Sequence, residues 1–256
     1  MQAALQRLAR PWSGVTAFHV ETPQGQALAS CNADVELPAA STRKLSIATC
    51  VFDQLDRQQQ NALDVVLPIL PPDKVIRSPL RAGVLQHTDI AWLSVYDLLT
   101  FMLLLSDETA TFVLCRWVGG PAAVNAYCHR IGLERTRHRY CVPEVYGPSN
   151  PRFMELVTTT TARDQSRLMR MIATNELAMS PTAHAQIWIL LNLTRTHLGS
   201  QFIGKTGTSE RGGGEVACLL RAGRAVCCAA VYLDFVPVKT MHHRLAELGA
   251  AIASHS

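Results

Sequence analysis

The rhythm of hydrophobic and polar positions changes along the chain. Gly14 to Glu21 alternates closely enough for a strand, Pro23-Gln24-Gly25-Gln26 supplies a turn, and Ala27 to Cys31 reads as a second strand. Together they predict an N-terminal hairpin. From Ser41 to about Leu198 the apolar positions fall at helical spacing. The predicted helices are Leu45 to Leu55, Ser94 to Leu105, Thr109 to Val118, Pro121 to Ile131, Ala162 to Thr174 and Pro181 to Asn192. Proline-rich connectors, Pro68 to Pro72 and Pro143 to Pro151, separate some of them. After that the pattern returns to strands: Phe202 to Lys205, Glu215 to Leu220 and Ala225 to Phe235, with turns expected at Gly212-Gly213-Gly214 and Ala222-Gly223. Met1 to Arg10 reads as a short amphipathic helix with Leu5 and Leu8 on one side, and His242 to Ser254 as a closing helix. Strands at both ends thus bracket a helical middle. This predicts an α+β fold in which residues 1–40 and 199–256 form an antiparallel sheet with terminal helices, and residues 41–198 form an inserted helical subdomain.

Composition narrows the function. Of 256 residues, 48% are hydrophobic and 17% charged, which is enough to bury a substantial core. The net charge of +4 is mild and no long basic run stands out, so nucleic-acid binding has no support. The longest apolar run, Leu98 to Leu105, is far too short to span a bilayer. No secretory signal is visible, so the expected location is the cytoplasm, or the periplasm or exterior if a leader was removed. The eight cysteines (31, 50, 115, 128, 141, 218, 227 and 228) form no C-x-x-C pair and have no histidine at zinc-finger spacing. They read as buried free thiols, and Cys227 and Cys228 should point to opposite faces of a strand. Their spacing gives no metal site.

Candidate chemistry lies in three places. Ser41-Thr42-Arg43-Lys44 is predicted to open a helix, which would put Ser41 and Lys44 on one face. A serine hydroxyl needs a base to become a nucleophile, and a neutral lysine can serve. The motif alone is common, and its ordinary meaning is a capping serine beside a solvated lysine. Lys205-Thr206-Gly207-Thr208 lies in a predicted strand, where Lys205 adds positive charge and Gly207 allows close approach to the backbone. Ser106-Asp107-Glu108 lies at the junction of two helical patterns, where a capping serine or aspartate would be unremarkable.

In this order and in these local structures, the three motifs resemble the S-x-x-K, S-D-N and K-T-G signature of class A β-lactamases and penicillin-binding proteins. The resemblance extends to Leu37–Lys44, Ser106–Thr111, Thr158–Ala162 and Lys205–Gly212. It implies a three-layer α/β/α fold and an acyl-enzyme mechanism that uses no metal or organic cofactor. Ser41 would attack the carbonyl, Lys44 would take or relay its proton, and Ser106 would pass a proton to the leaving group. Lys205 and Thr206 would hold a substrate carboxylate, with Gly207 beside them, and the N–H groups of Ser41 and Thr208 would form the oxyanion hole.

Three departures stand out. Glu108 replaces the family's asparagine; it can only accept hydrogen bonds when ionised, which favours a substrate bearing a donor, and it should lie near Lys44 and favour the charged lysine. Glu144 falls near the family's deacylating glutamate but lacks its usual neighbours. Gly214 stands where many relatives carry an arginine. The expected reaction is β-lactam hydrolysis by a monomer acting on a small-molecule β-lactam or acyl substrate. The alternatives are an esterase, thioesterase or acyl-transfer enzyme of the same fold, and a penicillin-binding protein that acylates without turnover.

Overall fold

The computed structural model describes residues 1–10, 14–74, 82–140, 157–209 and 211–256. Its centre is an antiparallel five-stranded sheet in the order β2-β1-β10-β9-β8. The N-terminal segment supplies β1 (Val15–Glu21) and β2 (Ala27–Cys31). The C-terminal segment supplies β8 (Phe202–Ser209), β9 (Gly212–Arg221) and β10 (Arg224–Asp234). The sheet is buried on both faces, and period-two alternation divides its side chains between two cores. Along β10, Cys227, Ala229, Val231 and Leu233 face one core while Cys228, Ala230 and Tyr232 face the other. The adjacent cysteines therefore point apart, as their spacing predicts. The seven described cysteines are all free thiols, and Cys141 lies outside the described residues.

Terminal helices α1 (Gln2–Ala9) and α8 (Val238–His255) cover one face, with Leu5, Leu245, Leu248 and Ile252 buried between them and the sheet. The other face carries the larger core. It is built mainly from α2 (Lys44–Arg57), α3 (Val95–Leu104), α4 (Glu108–Trp117), α5 (Gly120–Arg130), α6 (Ala162–Thr174) and α7 (Pro181–Leu193). Helices on both sides of an antiparallel sheet make the expected three-layer α+β fold. Of these helices, α6 lies directly against β1, β9 and β10. Its Ser166 accepts from His19 Nδ1 at 2.7 Å and donates to Glu21 at 2.7 Å, which satisfies polar groups that the sheet buries.

The helical periodicity located every predicted helix to within a residue or two, apart from the closing helix, which begins at Val238. The short pairings were not visible in it: β3 (Leu37–Pro38) and β6 (Arg137–His138) flank β7 (Thr158–Thr160), and β4 (Val66–Pro68) pairs with β5 (Trp92–Ser94). Strands this short carry no period. The turn expected at Gly212–Gly214 is corrected: these glycines continue β9, and register pairs Ser209 with Gly212. They serve close packing instead. A Cβ on Gly214 would lie 2.3 Å from the Tyr232 ring, and one on Gly213 would lie 2.1 Å from the Gly207 carbonyl oxygen. No helix among the described residues is long and apolar enough to cross a membrane.

Candidate active site

Ser41 sits in a 3-10 turn, Ala40–Arg43, and α2 begins only at Lys44. The expectation that Ser41 opens the α-helix is corrected in this respect. The tighter turn still stacks positions three apart, so Lys44 Nζ lies 3.2 Å from Ser41 Oγ. Ala40 holds φ at +46°, a left-handed value that an L side chain rarely adopts and that sets the entry into the turn. Thr42 fixes the turn from inside: its hydroxyl donates to the Ala39 carbonyl at 2.6 Å and lies 2.6 Å from the Tyr232 hydroxyl of β10.

Strand β8 runs against this turn. A Cβ on Gly207 would stand 2.9 Å from the Ser41 nitrogen and 3.0 Å from that of Thr42. Only glycine lets the strand backbone approach the serine so closely. Lys205, one alternation earlier on the same side of the strand, is buried and donates to Ser106 Oγ at 2.6 Å and to the Thr206 carbonyl at 2.9 Å. Thr206 pairs in register with Glu215, on the other side of the strand from Lys205. Thr208 pairs with Gly213 and is exposed.

Ser106 links the two lysines. Its φ of +53° turns the chain between α3 and α4, so that its carbonyl accepts from Lys44 at 2.6 Å while its hydroxyl faces Lys205. Asp107 is the cap of α4. One carboxylate oxygen accepts from the Ala110 N–H at 2.9 Å, and the other from those of Val84 at 2.6 Å and Leu85 at 2.9 Å. Within this motif the capping role therefore falls to Asp107, leaving Ser106 free to face the lysine of β8.

Glu108 is buried and lies among cations. Its Oε1 accepts from Lys44 at 3.0 Å, and its Oε2 lies 3.4 Å from Arg43 Nη2. The proximity to Lys44 anticipated from sequence is present. Its effect on the lysine is outweighed: burial pulls the Lys44 ammonium below its ordinary range, repulsion from Arg43 adds to this, and the attraction of Glu108 opposes it. Burial, followed by repulsion from Lys44, brings Lys205 down to about 7. Two buried lysines that give up protons easily are unusual outside sites of chemistry.

The structure thus brings Ser41, Lys44, Ser106, Glu108, Lys205 and Gly207 together from three separate segments. Glu144 lies outside the described residues. Arg43 and Tyr232 were missed by the sequence reading, since neither is a defining position of a motif. The signal for Arg43 was an arginine inside S-x-x-K in a chain that also carries a glutamate in the second motif. Gly214, without a side chain, leaves room for Tyr232, and Arg211 turns instead to Asp234 at 3.1 Å and lies over the Phe235 ring. Among the described residues, no group of three or more histidine, cysteine, aspartate or glutamate side chains could hold a metal.

A serine beside one buried lysine, a second serine that touches both buried lysines, and a sheet edge passing the first serine on a three-layer fold define the class. The chain belongs to the β-lactamase enzyme family, whose profile matches residues 1–255. It is 29% identical over 194 residues to β-lactamase L2 of Stenotrophomonas maltophilia, a match covering 75% of this chain and 60% of that protein. The match thus spans less than two thirds of that relative's length. Among solved structures, an ancestral (GNCA) class A β-lactamase shares 26% identity with a TM-score of 0.83, covering 100% of this chain and 99% of that one. The putative class A β-lactamase PenP from Rhodopseudomonas palustris shares 26% identity with a TM-score of 0.81, covering 98% of each chain.

Proposed function

We propose that this protein is a serine β-lactamase that opens the β-lactam ring through an acyl-enzyme on Ser41. The observation that carries this reading is the convergence of Lys44 and Lys205 on Ser41 and Ser106, at 3.2 Å and 2.6 Å respectively. In the proposed reaction, Ser41 Oγ forms a bond to the lactam carbonyl carbon as its proton passes to Lys44. The carbon–nitrogen bond breaks, Ser106 gives its proton to the leaving nitrogen, and the proton taken up by Lys44 passes to Ser106, so that Lys44 is again neutral and Lys205 keeps its charge. The Ser41 and Thr208 N–H groups would hold the oxyanion, and charged Lys205 with Thr206 would hold the substrate carboxylate. Water then cleaves the ester, returning the proton to Ser41 Oγ. Glu144 is our candidate for activating that water.

Family membership and the class A relatives support β-lactams over other acyl groups as substrate. The test is hydrolysis of a chromogenic cephalosporin by the purified chain and by Ser41→Ala. Sustained colour release by the wild type, lost in the variant, is expected. A single burst without turnover would replace hydrolysis with acylation alone. Activity on simple esters with none on β-lactams would move the protein to the esterase or acyl-transfer reading.

A further inference from the structure

The motifs account for Lys44 as a base, but they do not explain how it is freed to act as one. A lysine ammonium has three N–H donors. Those of Lys44 have three acceptors in reach: Ser41 Oγ at 3.2 Å, the Ser106 carbonyl at 2.6 Å and Glu108 Oε1 at 3.0 Å. Held this way, the nitrogen has no lone pair to offer Ser41. Losing a proton would also strand the buried Glu108 carboxylate if Lys44 were its sole counter-charge, and an uncompensated buried charge is costly.

Arg43 removes that obstacle. Its side chain is 4% exposed and its Nη2 lies 3.4 Å from Glu108 Oε2, the oxygen that Lys44 does not use. Its Nη1 is buried without a hydrogen-bond partner, so the guanidinium is not placed there to satisfy its own donors. A guanidinium does not deprotonate in proteins, whereas a lysine can. Among the described residues, Glu108 therefore faces Arg43, a permanent cation, and Lys44, a titratable one.

We propose that Arg43 is a positioning residue of the active site, a permanent counter-ion of Glu108 that helps Lys44 to release its proton and serve as the base for Ser41. This rests on the function proposed above. The balance is simple. An N–H bond of Lys44 breaks and the proton leaves to solvent, while Arg43 and Glu108 remain as a neutral pair. When Ser41 Oγ attacks, its O–H bond breaks and that proton fills the lone pair on Lys44. The charged and titratable groups around Lys44 among the described residues are Arg43 on its own turn, Asp107 and Glu108 at the start of α4, and Lys205 on β8. His138 on β6, which lies near Arg43, is held neutral by burial and by that arginine, at about 3.

The experiment titrates Lys44 directly. The chain has four lysines, 44, 74, 205 and 239, so the ε-carbon signals of 13C-lysine-labelled protein can be assigned by single substitutions and followed by NMR against pH. Arg43→Met is expected to raise the Lys44 midpoint by about one pH unit or more, the usual effect of an unshielded opposite charge. Arg43→Lys should leave it within about half a unit of the wild type. The double variant Arg43→Met/Glu108→Gln should bring it back down, a reversal that simple loss of packing would not produce. Should Arg43→Met fail to fold, Arg43→Gln, which keeps a polar side chain without the charge, takes its place with the same rise expected. An unchanged or lowered midpoint in the neutral Arg43 variant, or no reversal in the double variant, would overturn the proposal. Acylation by benzylpenicillin is read separately by protein mass. Its absence in the wild type would sink the β-lactamase reading while the lysine titration still judges the role of Arg43.

Discussion

Replacing Lys205 with methionine should abolish turnover and make the protein more stable. The lysine is 2% exposed and its ammonium loses its proton at about 7 instead of 10.5. At about 1.4 kcal/mol per pH unit, holding the charge in the folded protein below pH 7 costs roughly 5 kcal/mol. Methionine fills similar volume without that cost. It also leaves Ser106 Oγ and the Thr206 carbonyl without their donor, a loss of roughly 1–3 kcal/mol if water cannot replace it. The net expectation is a gain of about 2 kcal/mol near pH 6, which for a chain of this size is about 4–8 °C in Tm. The sign with pH follows from proton binding. Between about 7 and 10.5 the unfolded chain holds the Lys205 proton and the folded chain does not, so wild-type stability rises with pH across that window. Lys205→Met lacks this contribution, and its advantage shrinks towards pH 10. Thermal unfolding of both proteins at pH 6, 8 and 10 is the assay. A variant less stable at pH 6, or an advantage that does not change with pH, would refute the reasoning.

Further outcomes follow from the same geometry. Gly207→Ala places a methyl 2.9 Å from the Ser41 nitrogen and against the backbone of Thr42 and Ala39, so acylation should fall about 100-fold or more and Tm should drop by several degrees; stopped-flow acylation with calorimetry checks both. Asp107→Ala removes the acceptor of three N–H groups and should cost about 3 kcal/mol, measured by urea denaturation. Because Lys205 is charged only below about 7, KM for a carboxylate-bearing substrate should rise as pH passes upward through that value. A flat KM from pH 6 to 9 would remove Lys205 from carboxylate binding.

The helices were legible because amphipathic faces repeat over ten residues or more, and α6 was located residue for residue from Ala162 to Thr174. Pairings such as Leu37 with Thr160 are two or three residues long, and their partners are remote in sequence, so no local pattern announces them. The glycines at 212–214 misled for a physical reason. Glycine marks turns and close approaches alike, and only the Tyr232 ring and the Gly207 carbonyl decide between them. At the site, Ser41, Lys44, Ser106 and Lys205 were visible through residue type and order. What a linear pattern could not convey was the charge state of the cluster. It depends on burial and on Arg43, which lies beside Lys44 in sequence but acts through Glu108, 65 positions away.

The most direct test of the central claim is the mass of the protein after brief exposure to benzylpenicillin, quenched in acid and mapped by peptide. Ring opening expels no fragment, so the account predicts a gain equal to the whole penicillin, carried by the peptide containing Ser41 and absent from Ser41→Ala. An adduct on another residue, or hydrolysis that survives in Ser41→Ala, would contradict it.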